Sequence, residues 1–232
     1  MRAIAKIATA AGFCLLAGTS FAQDQSKTPA ANPGWAGTVK QEAASEAATI
    51  TEQQTAAIQK VSGYFNQLDN LKGIFLQTDP DKKQVRGKFF VKKPGRFRFD
   101  YAAPSKKVII SDGRWLAIQD HDLNSEDVYE LDNTPFRLLL RKDVDLLRDA
   151  NIYDVQESDD LIIVTLQDKD PDAPGRITLF MTKTPALDLK EWITIDAQGL
   201  ETRVELSSLI KSDEIDAALF KREALSLKKF QQ

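Results

Sequence analysis

At 232 residues, 42% of them hydrophobic and 28% charged, the chain suffices for one generous all-β domain or two small ones. Its 31 Lys and Arg against 34 Asp and Glu give a formal net charge of −3. That balance gives no electrostatic case for nucleic acid, which calls for a basic stripe, nor for strong adhesion to an anionic membrane surface.

The first 22 residues read as an export signal. Arg2 and Lys6 form a basic start, Ile7 to Ala17 are almost wholly apolar, and Ser20-Phe21-Ala22 supplies the small residues needed before a cleavage site. Cleavage is expected after Ala22. The apolar run falls short of the roughly 20 residues that span a bilayer, so the processed protein is expected to be soluble. Processing removes Arg2 and Lys6, leaving 29 basic against 34 acidic residues, a net charge of −5. The single cysteine, Cys14, goes with the signal, and with it any disulfide, thiolate nucleophile or cysteine metal site. Cys14 follows Phe13, whereas a lipid-modified cysteine needs a small residue in front. Residues 23–50 are rich in Ala, Gln, Thr and Ser and nearly devoid of large apolar residues, Trp35 excepted. Such a segment buries too little surface to offset its ordering entropy and is expected to be a flexible leader.

Order is expected from residue 51 to 232. Thr51 and Gln54 have the spacing of a capping box, and Ile58, Val61, Phe65 and Leu68 follow at helical intervals, predicting an amphipathic helix over 52–68. Beyond it the hydrophobic period becomes two. Strands are expected at 72–78, 85–93, 96–102, 106–111, 115–120, 126–131, 151–157, 161–168, 175–182, 187–196 and 201–208, many separated by turn-forming stretches such as "DPDKK", "KPG", "SDG" and "DAQG". Many consecutive hairpins mean an antiparallel meander curved into a barrel-like sheet. Within it, "GRFRFDY" (95–101) sets Phe97, Phe99 and Tyr101 on one face and Arg96, Arg98 and Asp100 on the other. Asn133 to Ala150 read as a helix with Thr134 as N-cap and Pro135 at its first position, and "DEIDAALF" (213–220) as a short final helix.

Catalytic chemistry is scarce. His121 is the only histidine, and neither a nucleophile elbow nor a glycine-rich phosphate loop is present. Asp120, His121, Asp122, Glu126 and Asp127 form a cation-compatible cluster on paper, but adjacent residues of one hairpin are read as a solvated loop, and no metal site is assigned. The chain is read as a non-enzyme.

"GKFFVKKPGRFRFDYAAPSKKVIISDG" (87–113), then "NTPFRLLLR" (133–141), resembles the periplasmic outer-membrane lipoprotein carrier family, LolA. The likeness extends from about Ala56 to Phe220, including the amphipathic helix and the late "DAALF". It implies a mainly β, α+β fold: an unclosed, strongly curved antiparallel β-barrel with helices covering an apolar cavity. The implied function is a periplasmic carrier without cofactor, expected to be a monomer. It would bind lipoprotein acyl chains, receive cargo from an inner-membrane ABC transporter and deliver it to an outer-membrane acceptor. The expected cavity set is Phe90, Phe97, Phe99 and Tyr101 on strands, Phe136, Leu138, Leu139 and Leu140 on the Thr-Pro-Phe helix, and Ile58, Val61, Phe65 and Leu68 on the first helix. Known members place Arg before the Pro of the basic turn as a lid latch; here Lys93 takes that place, a point charge in place of a planar five-donor fork. A second departure lies at "GRWLAIQD" (113–120), where relatives carry an aromatic pair near Ala117 and Gln119. Arg137 is expected to snorkel at the rim. The alternative on the same fold is a non-shuttling sensor of lipidated ligands. Sensors of this kind usually carry a further domain, which a chain read as ending at Gln232 is expected to lack.

Overall fold

The computed structural model describes residues 50–211, 214–222 and 225, all within one compact unit, Glu42–Gln232. The expected export signal, nearly all of the leader and Trp35 lie outside the described residues.

Helix α1 (Glu52–Asn66) starts at the capping box: the Thr51 hydroxyl accepts from Gln54 N–H, and the Gln54 side chain accepts from Thr51 N–H. Eleven strands follow: β1 (Asn70–Thr78), β2 (Gln84–Lys92), β3 (Arg96–Tyr101), β4 (Lys107–Asp112), β5 (Trp115–Asp120), β6 (Ser125–Glu130), β7 (Ala150–Glu157), β8 (Leu161–Asp168), β9 (Arg176–Thr182), β10 (Asp188–Ile195) and β11 (Glu201–Ile210). Each matches an expected strand to within two residues at either end. Period-two burial and turn chemistry together fix strand positions closely, because every second residue faces one core.

All eleven belong to one antiparallel sheet in the order β6-β5-β4-β3-β2-β1-β11-β10-β9-β8-β7. Two meanders, β1 to β6 and β7 to β11, are joined by the pairing of β1 with β11. The edges are β6 and β7, which do not pair with each other. The barrel is therefore unclosed. Register shifts between Lys72 and Ile74, Ile152 and Asp154, and Leu189 and Glu191 mark bulges, which bend strands and increase twist. Gly87 contributes differently: a Cβ there would lie 2.6 Å from the Phe75 ring, so its absence lets that ring lie flat across the sheet.

One expectation needs correction. Residues 133–150 do not form a single helix. Leu131–Asn133 is a 3-10 turn, α2 covers only Arg137–Leu140 and α3 only Leu146–Asp149. The Thr134 hydroxyl donates back to the Leu131 carbonyl at 2.8 Å instead of capping a helix. The interruption is tertiary in origin. Asn66, at the end of α1, donates from Nδ2 to Val144 O (2.9 Å) and accepts Val144 N–H on Oδ1 (2.7 Å), and Ser62 Oγ accepts Leu146 N–H at 3.3 Å. These bonds satisfy backbone groups that a continuous helix would have used itself. The "DAALF" stretch ends in a 3-10 turn, Ala217–Phe220, with the Asp216 side chain accepting from Ala218 N–H; Asp213 lies outside the described residues.

Candidate functional site

The aromatic and charged faces of β3 meet different partners. On the convex side Lys92 Nζ donates to Ile215 O at 2.8 Å and Arg98 donates to Leu219 O at 3.2 Å, so the charged face binds the C-terminal segment as a strap. Ile215 and Phe220 are buried there, outside the main core. On the concave side the rings form a continuous network. Phe75 packs on Phe99 and Tyr101 (centroids 5.0 and 5.1 Å), and Phe89 stacks on Phe99 at 5.7 Å. Phe136, just ahead of α2, lies 6.2 Å from Phe97 and 6.3 Å from Trp192 of β10, reaching across the concavity to both halves of the sheet.

Rings and helices do not fill the space between them. A cavity of about 390 Å³ remains, within the roughly 300–1,000 Å³ usual for ligand pockets. Of the expected set, Phe65, Leu68, Phe97, Phe99, Tyr101, Phe136, Leu139 and Leu140 line it. Ile58 and Val61 do not; fully buried, they belong to the core around α1. Leu138 is likewise core. Phe90 is on the opposite face, half-buried and paired with Lys72 and Arg98, because the inward positions of β2 are Gly87, Phe89 and Val91. On β5 the inward residues are Leu116 and Ile118, so Ala117 and Gln119, the positions near which an aromatic pair was expected from the resemblance, face the other way.

Two aromatic wall residues, Phe89 and Trp192, lie outside the expected set, along with the aliphatic and polar residues contributed by β1, β2, β4, β5 and β9 to β11. Phe89 and Phe90 are adjacent aromatics of which only Phe89 faces inward, because the short hairpin between β2 and β3 pairs it directly with Phe99. Trp192 was hidden by the bulge at Leu189 and Glu191, which breaks simple alternation along β10.

The lid is held by few polar contacts. Lys93 Nζ donates to Phe65 O at the end of α1 (2.7 Å), and Gly95 N–H, two residues on, donates to Leu140 O at the end of α2 (2.9 Å). Gly95 sits at φ 69°, a conformation open to glycine. One turn thus ties both helices to the sheet. Burial pulls the Lys93 ammonium below its ordinary pKa, against the opposing pull of Asp69 and Asp143. At the other end of α2, Arg137 does not snorkel. It pairs with the buried carboxylate of Asp168, through Nε and through an Nη2 bond of 2.7 Å, and reaches Asp170 at 3.0 Å. The Asp120 carboxylate accepts from the N–H groups of Asp122 and Leu123, and Glu126 accepts from Gln119, so these acids serve their own hairpin.

Residues 66–223 match the family model described as "Outer membrane lipoprotein carrier protein LolA". The chain belongs to the LolA family. A LolA relative named outer-membrane lipoprotein carrier protein, from Halorhodospira halophila, is 28% identical over 184 residues, 75% of this chain and 85% of the relative. One of the same name from Pseudomonas aeruginosa is 26% identical over 178 residues, 72% and 83% of the two chains. Among solved structures, a LolA-superfamily protein from Nitrosomonas europaea has a TM-score of 0.40 at 11% identity, covering 71% of this chain and 97% of that one. A DUF1329-family protein from Desulfovibrio piger has a TM-score of 0.47 at 10% identity, covering 76% and 100%. The matched span contains the residues that build the site: the turn bearing Lys93 and Gly95, the aromatic β3, and the lid segment around Phe136.

Proposed function

We propose that this protein is a periplasmic carrier that holds the acyl chains of lipoproteins in its cavity and shuttles them from the inner to the outer membrane. Exported chains of this kind would pass from an inner-membrane ABC transporter to this cavity and on to a tighter-binding outer-membrane acceptor, driven by differential affinity. Support comes from one observation above the rest: an apolar hollow beneath a lid that a handful of hydrogen bonds hold shut. Acyl chains exposed to water lose on the order of 0.8 kcal/mol per methylene, so a carrier must offer equivalent apolar surface. The closed cavity suits a small ligand, and cargo with two or three chains requires the lid to rise. Lid lifting separates Phe136 from Phe97 and Trp192 without breaking a strand pair, an opening drawn from the less stable part of the molecule. The unpaired strand edges β6 and β7 offer docking sites for transporter and acceptor.

Incubation with a radiolabelled lipoprotein and separation by size should give a soluble one-to-one complex. Leu139→Glu, which puts a charge into the wall beneath the lid, should abolish that complex while leaving the β-rich circular dichroism intact. No complex with the unaltered protein would refute the carrier reading. Depletion in cells should strand lipoproteins in the inner membrane.

A further inference from the structure

The cavity is chemically asymmetric along the strands. At the end beneath the helices its walls are apolar and buried: Leu68, Leu71, Val91, Phe97 and Leu139 are each at most 9% exposed. At the far end, by the β1–β2 turn, the inward residues are Gln77, Tyr101, Lys107, Thr194 and Thr202, all polar-tipped and only half-buried. Strand pairing gathers them, since Gln77 lies opposite Val204, Tyr101 opposite Gly87 and Thr194 opposite Thr202. From Tyr101 to Phe97 the cavity runs about 13 Å along β3, at roughly 3.3 Å per residue. The hollow therefore has a dry end under the lid and a wet end open to solvent.

Most polar groups at the wet end are already engaged. Tyr101 donates to Gln77 Oε1, and Gln77 Nε2 donates to Asp79, each at 2.5 Å. Thr194 Oγ1 reaches Thr202 O at 3.4 Å. Lys107 is the exception. It is the one charged residue in the lining, its ammonium lies 5.6 Å from the Tyr101 ring centroid, and among the described residues no carboxylate lies within ion-pairing distance of it. Its neighbour Lys106 takes Asp122. An ammonium with three donors beside an apolar tunnel, and no anion of its own, matches an oxygen-rich head on an acyl tail.

We infer that Lys107 marks a head-group subsite: an acyl ligand lies with its tail under Phe136 and its carboxylate or ester oxygens at Lys107, entering by the polar end without the lid having to open for a single chain. This rests on the acyl-binding reading above and adds the orientation of the ligand and the residue that selects its head.

The test uses N-phenyl-1-naphthylamine fluorescence in the purified protein and its displacement by oleate, methyl oleate and 1-octadecene, three ligands of similar tail and different head. Lys107→Glu should weaken oleate by about tenfold or more, methyl oleate by roughly two- to threefold, and octadecene not at all, as expected for a charge-assisted contact at a half-exposed site. Lys107→Met, which keeps the apolar stem, should weaken oleate by a smaller factor with the same ranking. Equal losses for all three ligands, or none for oleate, would overturn the subsite while leaving acyl binding standing. Failure of the unaltered protein to take up the dye or any displacer would instead remove the acyl cavity itself, and the subsite with it.

Discussion

Lys93 occupies a position where side-chain chemistry sets how firmly a lid is shut. Its ammonium spans from the β2–β3 turn to the last carbonyls of α1, and burial opposes its charge, so the contact is a compromise between a charged hydrogen bond and desolvation. Lys93→Met should change global stability by less than about 1 kcal/mol, because the lost bond and the relieved burial offset each other. Amide exchange in the last turn of α1 should nonetheless quicken by about tenfold, reporting local opening. Lys93→Arg should slow it. Two phenols respond to pH instead. Burial raises the pKa of Tyr64 and Tyr101 well above the ordinary 10.0; the hydrogen bond to Asp188 adds to the rise at Tyr64, and the charge of Asp79 at Tyr101. A raised phenol favours the neutral, folded form, so this contribution is whole below pH 10 and drains away as pH climbs beyond it. Urea unfolding should show stability falling above pH 10 by up to about 1.4 kcal/mol per pH unit for each tyrosine. Tyr64→Phe should flatten part of that fall.

Among the elements, the strands were legible in the sequence and the lid was not. Strand positions follow from alternation and turn residues, both local properties, which is why "DPDKK", "KPG" and "DAQG" sit at observed turns. The lid segment has helical composition, yet α1 intercepts its backbone through Asn66 and Ser62, and no local pattern carries that information. Bulges hid Trp192 in the same way, and adjacent aromatics at Phe89 and Phe90 left the facing of β2 to a register visible only once β3 is paired. Eight of the twelve expected wall residues reach the cavity, the four others being Ile58, Val61, Leu138 and Phe90; the misses fall where a helix has two buried faces or a strand two aromatic ones. The segment is pinned at its start by Arg137 on Asp168, whose carboxylate is 1% exposed. Asp168→Asn should cost about 1–3 kcal/mol by removing the charge from a buried pair while Asp170 keeps part of the contact. Its sharper effect should be faster uptake of a multi-chain radiolabelled lipoprotein, which needs the lid to rise, since α2 then remains tied to the sheet chiefly through Gly95 and Leu140.

The molecule as a whole is a sheet that nearly becomes a tube. Two meanders are stitched at β1 and β11, while the opposite seam, between β6 and β7, is left unsewn. The chain crosses that gap by way of α2 and α3, so the segment roofing the hollow also strings one rim to the other. Roof and seam are for that reason formed by one stretch of chain, so Phe136 cannot be displaced far without a strain on the rims at either end of it. Under the carrier proposal, loaded and empty forms would then differ outwardly at these two edges, where a docking partner meets them.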